Sequence, residues 1–286
     1  RVMQHADIFI IGGGAAGLAA AKAAVSAGCR SVALADTKNA LGGVLLQCTH
    51  AGFAGGLTGV QYAAALTREL PAQVRLLLGT TVLHITENKT AVLSGGQTLS
   101  FSQLIYAAGC MEIPMGALGI AGTRPQGVFT AGQMQEMMNL HGVIPEGPVA
   151  ILGGGDIGLI MAAQIAAHGI AVTIVEQASS CGGLARNRRC LEKYPISLLC
   201  SQTVTEVEGF PALTGCRLSD GGVLPCKTLL IAAGLRPDRS LIAKLGSPSW
   251  LHLCGNCHFV HTMVESVTAE GSRAGLAAVE NLRGDV

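Results

Sequence analysis

The stretch that most limits what this chain can fold into is Asp7-Ile-Phe-Ile-Ile-Gly-Gly-Gly-Ala-Ala-Gly-Leu18. A short apolar run, Ile8 to Ile11, reads as a buried strand and feeds directly into Gly12-x-Gly14-x-x-Gly17. An Ala-rich helical pattern follows from Leu18 to Ala27, closed by Gly28. A second β-run, Ser31 to Ala35, ends in Asp36. Strand, glycine turn, helix, strand and terminal acid are the order and spacing of a dinucleotide-binding βαβ unit. In such a unit Gly12 permits the tight turn, Gly14 lets the backbone approach a pyrophosphate, and Gly17 lets helix and strand pack closely. Ala15 and Ala16 lie in the turn as further cofactor-binding candidates, ahead of the helix, whose free N–H groups and partial positive charge face the diphosphate. Asp36, with Thr37 beside it, is placed to accept hydrogen bonds from a ribose diol.

The pattern then recurs. Val149 to Leu152 is a buried strand, Gly153-x-Gly155-Asp156-Ile157-Gly158 the turn, and Leu159 to His168 a helix closed by Gly169. The strand Ala171 to Val175 ends in Glu176. Each unit is followed by an apolar strand that stops at a glycine corner, Ala107-Ala108-Gly109 in the first case and Ala232-Ala233-Gly234 in the second. Two copies in 286 residues predict two similar nucleotide-holding domains.

Between the copies, Thr37 to Phe53 reads as a loop, Gln61 to Glu69 as a helix ended by Pro71, and Val74 to Leu78 and Thr81 to Ile85 as strands. Val92 to Leu99 fits a hairpin turning at Gly95-Gly96, and Leu104 to Gly109 a separate strand. Residues 111 to 147, rich in Gly, Pro and Met, suggest a crossing between domains; Met134, Met137 and Met138 there read as core or partner contacts. Leu251 to Cys257 and a helix from about Ser266 to Leu282 are expected to rejoin the first sheet. The first domain then comprises residues 1–112 and 234–286, with a second domain, 113–233, inserted.

Composition removes several alternatives. Net charge is +1 and charged residues are 13%, without the basic excess of a nucleic-acid binder. Aromatics are 3%, too few for a base-stacking surface. No apolar run reaches the ~20 residues of a membrane span, and no signal peptide is evident, so a cytoplasmic location is expected. Arg1-Val2 reads as a remnant ahead of a natural start at Met3. Of ten cysteines only Cys254 and Cys257 form a CxxC, which by itself does not make a zinc or iron–sulfur site. His258 and His261 read as solvent-facing loop residues, Glu265 and Glu270 as solvated acids, and no metal site is assigned.

Four motifs carry a family resemblance: Gly12 to Gly17 with Asp36, Gly42-Gly43, Gly153 to Gly158 with Glu176, and Gly255-Asn256 before a terminal helix. Together they resemble the pyridine nucleotide–disulfide oxidoreductase superfamily in its small, thioredoxin-reductase-like form. The resemblance implies an α/β fold of two Rossmann-like dinucleotide-binding domains (three-layer ββα), the FAD domain discontinuous and the NAD domain inserted. It implies FAD in the first unit and NAD(P)H in the second. Gly42, Gly43 and Gln47 would then lie near the isoalloxazine, with Ala108, Gly109 and Gly234 at the strand ends. Asn256 stands where the family has an acid for the ribityl chain. Val267 and Thr268 would open a helix aimed at the flavin N1–O2 edge. Glu176 favours NAD(H) over NADP(H) by repelling a 2′-phosphate, whereas Arg186-Asn-Arg188-Arg189 is either a phosphate grip or a solvated basic loop.

Gly42 to Phe53, Gly122 to Gly132 and Cys254-Gly-Asn-x-x-x-Val-His261 are also similar to one bacterial subgroup. Its FAD/NAD-dependent subunits accompany a second flavoprotein that resembles glycerol-3-phosphate dehydrogenase. Related subunits occur in opine oxidases, hydrogen cyanide synthases and dye-linked proline dehydrogenases. Two departures are visible. No cysteine pair follows Gly42-Gly43 and none lies in Thr130 to Met134, which argues against a thioredoxin or glutathione reductase. The stretch from Arg236 to Leu251 is short for the flavin domain. The expected function is hydride transfer between nicotinamide and FAD, with electrons passed to a partner flavoprotein or iron–sulfur protein. His50 is the candidate proton relay and Cys48 the candidate thiolate. A silent scaffold subunit and a stand-alone NADH:acceptor reductase are the alternatives, and self-association is left open.

Overall fold

The computed structural model describes residues 4–284. The start expected at Met3 falls outside the described residues. Two compact units divide the chain, Arg1–Met111 with Arg236–Val286, and Glu112–Leu235.

In the first unit the strand Gln4–Ile11 runs parallel to Val32–Ala35 on one side and Thr98–Tyr106 on the other. Arg75–Leu77 extends the sheet beyond Val32–Ala35. The strand Thr98–Tyr106 is a single nine-residue element, where a hairpin arm and a separate strand were expected. Its first half pairs antiparallel with Thr90–Leu93, and its last three residues pair parallel with Leu251–Leu253. The segment after the second unit thus rejoins the first sheet. The second half of the strand Gln4–Ile11, from Ile8 on, is apolar on both faces because the sheet is covered on both there. One face packs Ile8, Ile10 and Leu34 against helices Ala15–Ser26 and Val264–Gly284; the other packs Phe9, Leu104 and Phe101 against Ile85, Leu93 and Trp250. The short 236–251 segment contributes Ile242 and Trp250 to that second face.

The two helices of the first face meet through small residues. A Cβ on Gly271 would lie 2.2 Å from the Ala16 carbonyl oxygen, and one on Gly275 2.4 Å from that of Ala20. Backbone therefore rests on backbone along this seam, which no larger side chain permits.

The second unit has three layers. Helices Ala131–His141 and Asp156–Ala167 cover one face of a five-stranded parallel sheet built on Val149–Leu152. A four-stranded sheet, which includes Val204–Glu208, Gly215–Leu218 and Val223–Pro225, covers the other. Residues 111–147 are therefore more than a crossing. They supply the strand Val128–Thr130 and the helix Ala131–His141, capped by the Thr130 hydroxyl and closed by Gly142 at φ 67°. Met134 and Met138, four apart, bury one face of that helix. The polar residues between them mask the period in the sequence. Among the described residues no helix is long and apolar enough to cross a membrane.

Candidate functional site

Each unit carries one glycine turn, and the two are built alike. In the first, Gly12 sits at φ 107°, and a Cβ there would lie 2.3 Å from the Ala107 carbonyl oxygen and near Ala108 N. A Cβ on Gly17 would lie 1.8 Å from the Gly12 carbonyl oxygen. Gly14, by contrast, faces open space: a Cβ there meets nothing within 4 Å. The helix begins at Ala15, not Leu18, so Gly17 lies inside its first turn and Gly14 is the N-cap. No side chain caps this end, which leaves its first N–H groups directed outward. In the second unit a Cβ on Gly153 would lie 2.3 Å from the Ala232 carbonyl oxygen, one on Gly158 2.1 Å from that of Gly153, and Gly155 faces open space.

The acid of each unit buckles its own turn. Asp36 Oδ2 accepts from Gly13 N at 2.7 Å while Oδ1 accepts from Lys38 N at 2.8 Å. Glu176 repeats this with Gly154 N at 2.6 Å and Ala178 N at 2.8 Å. Thr37 is exposed beside Asp36.

Around the first turn the other expected residues gather. Gly42 N donates to Gly13 O at 2.8 Å, and a Cβ on Gly43 would lie 3.1 Å from Gly14 Cα. The loop expected from Thr37 to Phe53 holds a short 3-10 turn, Gly43–Gln47, and half of a hairpin that continues to Leu57–Thr58. Gln47 is buried. Gly255, at φ 70°, lies against Ala16 and Val267, and Ala15 and Val267 share a small core with Leu45. Three residues stand differently from expectation. Asn256 Oδ1 accepts from His261 N at 3.0 Å, closing its own loop. The Thr268 hydroxyl donates back to the Val264 and Glu265 carbonyls inside the helix. Gly109, with open space at its α-carbon, accepts from Asp238 N at 3.1 Å.

In the second unit Asp156 does not face open space. Its Oδ1 accepts from Leu184 N at 2.7 Å and Asn187 Nδ2 at 2.6 Å, so it anchors the basic stretch. That stretch forms two short helices, Ala185–Arg188 and Cys190–Lys193. Ile157 packs into the helix-side core, and Gly234, at φ 112°, accepts from Ile113 N.

The chemical candidates are corrected in part. Cys48 is buried and donates to the Val44 carbonyl at 3.3 Å; burial pushes its thiol up to about 11. At pH 7 about one molecule in ten thousand carries the thiolate, too few for the nucleophile expected there. Cys48 is accordingly expected to stay unlabelled by iodoacetamide at pH 7 and to react only as pH approaches 11. Peptide mass mapping checks this. His50 stacks its ring 5.3 Å from that of Phe53. Cys254 and Cys257 are fully buried thiols. Cys257 donates to the Tyr106 and Cys254 carbonyls, and burial raises both groups.

A cluster that the sequence reading missed surrounds Gly255. Glu270, expected as a solvated acid, is 12% exposed. It accepts from Gly255 N at 2.8 Å, from His261 Nε2 at 2.7 Å and from His258 Nδ1. Burial works to raise its carboxyl, but these hydrogen bonds outweigh it and hold it below its ordinary range. Arg239 grips the same loop through the Cys257 and His258 carbonyls at 2.9 and 2.5 Å. No local pattern announces the cluster, because the two histidines precede the helix that carries Glu270. Among the described residues no set of side chains is arranged to hold a metal.

The family of pyridine nucleotide-disulphide oxidoreductases matches residues 6–250, the greater part of both units. The chain belongs to that family. It is 29% identical over 180 residues to peroxisomal monodehydroascorbate reductase 1 of Oryza sativa, covering 58% of this chain and 37% of that protein. It is 29% identical over 197 residues to hydrogen cyanide synthase subunit HcnB of Pseudomonas protegens, covering 65% of this chain and 41% of that one. The chain thus spans about two fifths of the length of these relatives. Thioredoxin reductase of T. acidophilum shares the fold, with a TM-score of 0.81 at 20% identity over 97% of this chain and 99% of that one.

Proposed function

We propose that the chain passes hydride between NAD(H) and FAD as part of an electron-transfer enzyme that serves a partner dehydrogenase. One observation carries the reading: each unit has a glycine turn buckled by its own acid, with an open backbone position where a diphosphate would lie, at Gly14 and Gly155. Gly12, Gly14, Ala15, Ala16 and Gly17 then hold the FAD diphosphate, and Asp36 with Thr37 its adenosine ribose. Gly42, Gly43, Gln47, Ala108, Gly109, Gly255, Asn256, Val267 and Thr268 line the remainder of that cofactor. Gly153, Gly155, Ile157, Gly158 and Gly234 take the nicotinamide nucleotide, and Asp156 holds the adjoining segment in place. Glu176 favours NAD(H), because its carboxylate repels a 2′-phosphate. Bound FAD supplies the two-electron chemistry. The protein's part is to align the nucleotides, with His50 placed in the Gly43–Phe53 segment to carry a proton.

A partner dehydrogenase or iron–sulfur protein takes the electrons, because Cys48 is held protonated, Cys254 is fully buried and Cys257 is turned toward backbone carbonyls. The match to a protein named as a subunit of hydrogen cyanide synthase supports that arrangement. A cytoplasmic setting fits a carrier of this kind. Anaerobic titration of the full-length protein with NADH, followed at the flavin's visible absorbance, tests the claim. Bleaching by NADH at lower concentration than by NADPH is the expected result. A flavin-free protein, or one that neither nucleotide bleaches, sinks the hydride-transfer claim and leaves the scaffold reading. Co-purification with a larger dehydrogenase separates a subunit from a stand-alone reductase.

A further inference from the structure

In the second unit, strands Gly215–Leu218 and Val223–Pro225 pair antiparallel, with Cys216 opposite Leu224. Cys226 lies two residues beyond Leu224, so it shares a face of the sheet with Cys216. Both enter the apolar layer among Val204, Val207, Leu213 and Leu229. Their sulfurs lie 3.5 Å apart, and both are thiols. We infer that Cys216 and Cys226 form a thiol–disulfide redox site of the second unit, reactive toward low-molecular-weight disulfides.

Three features support this. First, closing 3.5 Å to a sulfur–sulfur bond needs about 1.5 Å of movement, within reach of small side-chain rotations and the give of a short strand. Second, Val223–Pro225 is the edge strand of its sheet, only three residues long, and follows the exposed turn 219–222. Short edge strands with few ladder bonds open locally at low cost, which admits a small reagent to sulfurs otherwise sealed from solvent. Third, the pair is asymmetric. The two sulfurs share a hydrogen bond that either can donate; it holds the Cys226 thiol below its ordinary range against the effect of burial and, together with burial, pushes Cys216 up. Cys226 is therefore the attacking sulfur. With glutathione disulfide, the Cys226 thiolate attacks one sulfur, the glutathione S–S bond breaks, and one glutathione thiolate leaves. Cys216 then loses its proton to solvent and attacks the Cys226 sulfur, expelling the second glutathione thiolate. Two protein thiols are oxidised and one glutathione disulfide is reduced to two glutathiones. The link forms two residues before Thr228–Ile231, the strand that leads to Ala232 and the Gly153 turn.

The test is incubation of the full-length native protein with glutathione disulfide, followed by alkylation and tryptic mapping. Arg217 lies between the two cysteines, so the link appears as two peptides joined together and parted by dithiothreitol. One of those peptides also contains Cys200, so fragmentation and a Cys200→Ser variant fix the position. The link is expected in wild type and in Cys200→Ser. It is expected to be lost in Cys216→Ala, with glutathione trapped on Cys226, and lost in Cys226→Ala without glutathione on Cys216. Alanine keeps both sites apolar, and circular dichroism confirms that each variant is folded. Glutathione on single cysteines of the wild type with no 216–226 link overturns the inference. So does reaction that begins only after the protein is unfolded.

Discussion

Gly17→Ala is expected to destabilise the first unit by ~3 kcal/mol, the upper part of the range for forcing an extra methyl into a packed interior. Gly14→Ala, three residues earlier in the same motif, is expected to cost ~1 kcal/mol or less, the small difference between Gly and Ala at an N-cap. The contrast follows from what each new methyl meets. At position 17 it lands 1.8 Å from the Gly12 carbonyl oxygen, a backbone atom with no freedom to withdraw. At position 14 it meets nothing within 4 Å, and the local φ of −77° suits any residue. The Gly14→Ala methyl instead occupies the space assigned to a diphosphate, so flavin affinity should fall at least about tenfold, ~1.4 kcal/mol. Thermal melts separate the first effect, and flavin retention on gel filtration reads the second. A Gly14→Ala protein that keeps its flavin at wild-type affinity removes the assignment of this turn to the cofactor.

The second large effect concerns Glu270. Glu270→Ala leaves the Gly255 N–H and two imidazoles without their shared acceptor, at a cost of ~2–3 kcal/mol for a charge-assisted buried cluster. The pH dependence has a fixed sign. The folded carboxyl lies below its unfolded value, so the cluster adds stability above the ordinary carboxylate range, and that stability fades as pH falls through the lower folded value. Below it the carboxylate charge that the Gly255 N–H and both imidazoles share is gone. Urea unfolding at pH 7 and near pH 4 (about the ordinary carboxylate value) checks this. Wild type should lose more stability between the two than Glu270→Gln, whose response over that interval should be flatter. Equal slopes for the two proteins would show that Glu270 does not set the acid response.

The parts legible in the sequence were those written in local patterns. Gly12 to Gly17, its copy at Gly153 to Gly158, and the acids at 36 and 176 follow from strand and helix periods with fixed glycine spacings, although Asp36 and Glu176 reach back 23 and 22 residues to their turns. That the Leu251–Leu253 segment rejoins the first sheet was readable because the terminal apolar run had one sheet to rejoin; its pairing with Leu104–Tyr106 was not. What stayed hidden depends on contacts that no repeating pattern marks. Glu270 was taken for a solvent-facing acid because nothing nearby shows that His258 and His261 fold back over it. Asp156 looked like a ligand of the nucleotide because the sequence does not reveal that Leu184 and Asn187 reach it first. The helix Ala131–His141 was masked because Gln135 and Glu136 separate its buried methionines. The residues between Ser197 and Leu224 form short strands that alternate too briefly to register.

The seam between Ala15–Ser26 and Val264–Gly284, where Gly271 and Gly275 rest on Ala16 and Ala20, has a consequence for synthesis. Glu112–Leu235 is continuous, so that unit is whole as soon as its own residues leave the ribosome. The first glycine turn emerges well before it, yet the backbone that covers Ala16 and Ala20, at Gly271 and Gly275, follows the whole of the second unit. A nascent chain paused in the second unit therefore presents an unroofed first helix and a strand edge at Leu104–Tyr106 awaiting its parallel neighbour. The first unit, begun before the second, is completed only after it, so Leu104–Tyr106 lacks its Leu251–Leu253 neighbour through that interval.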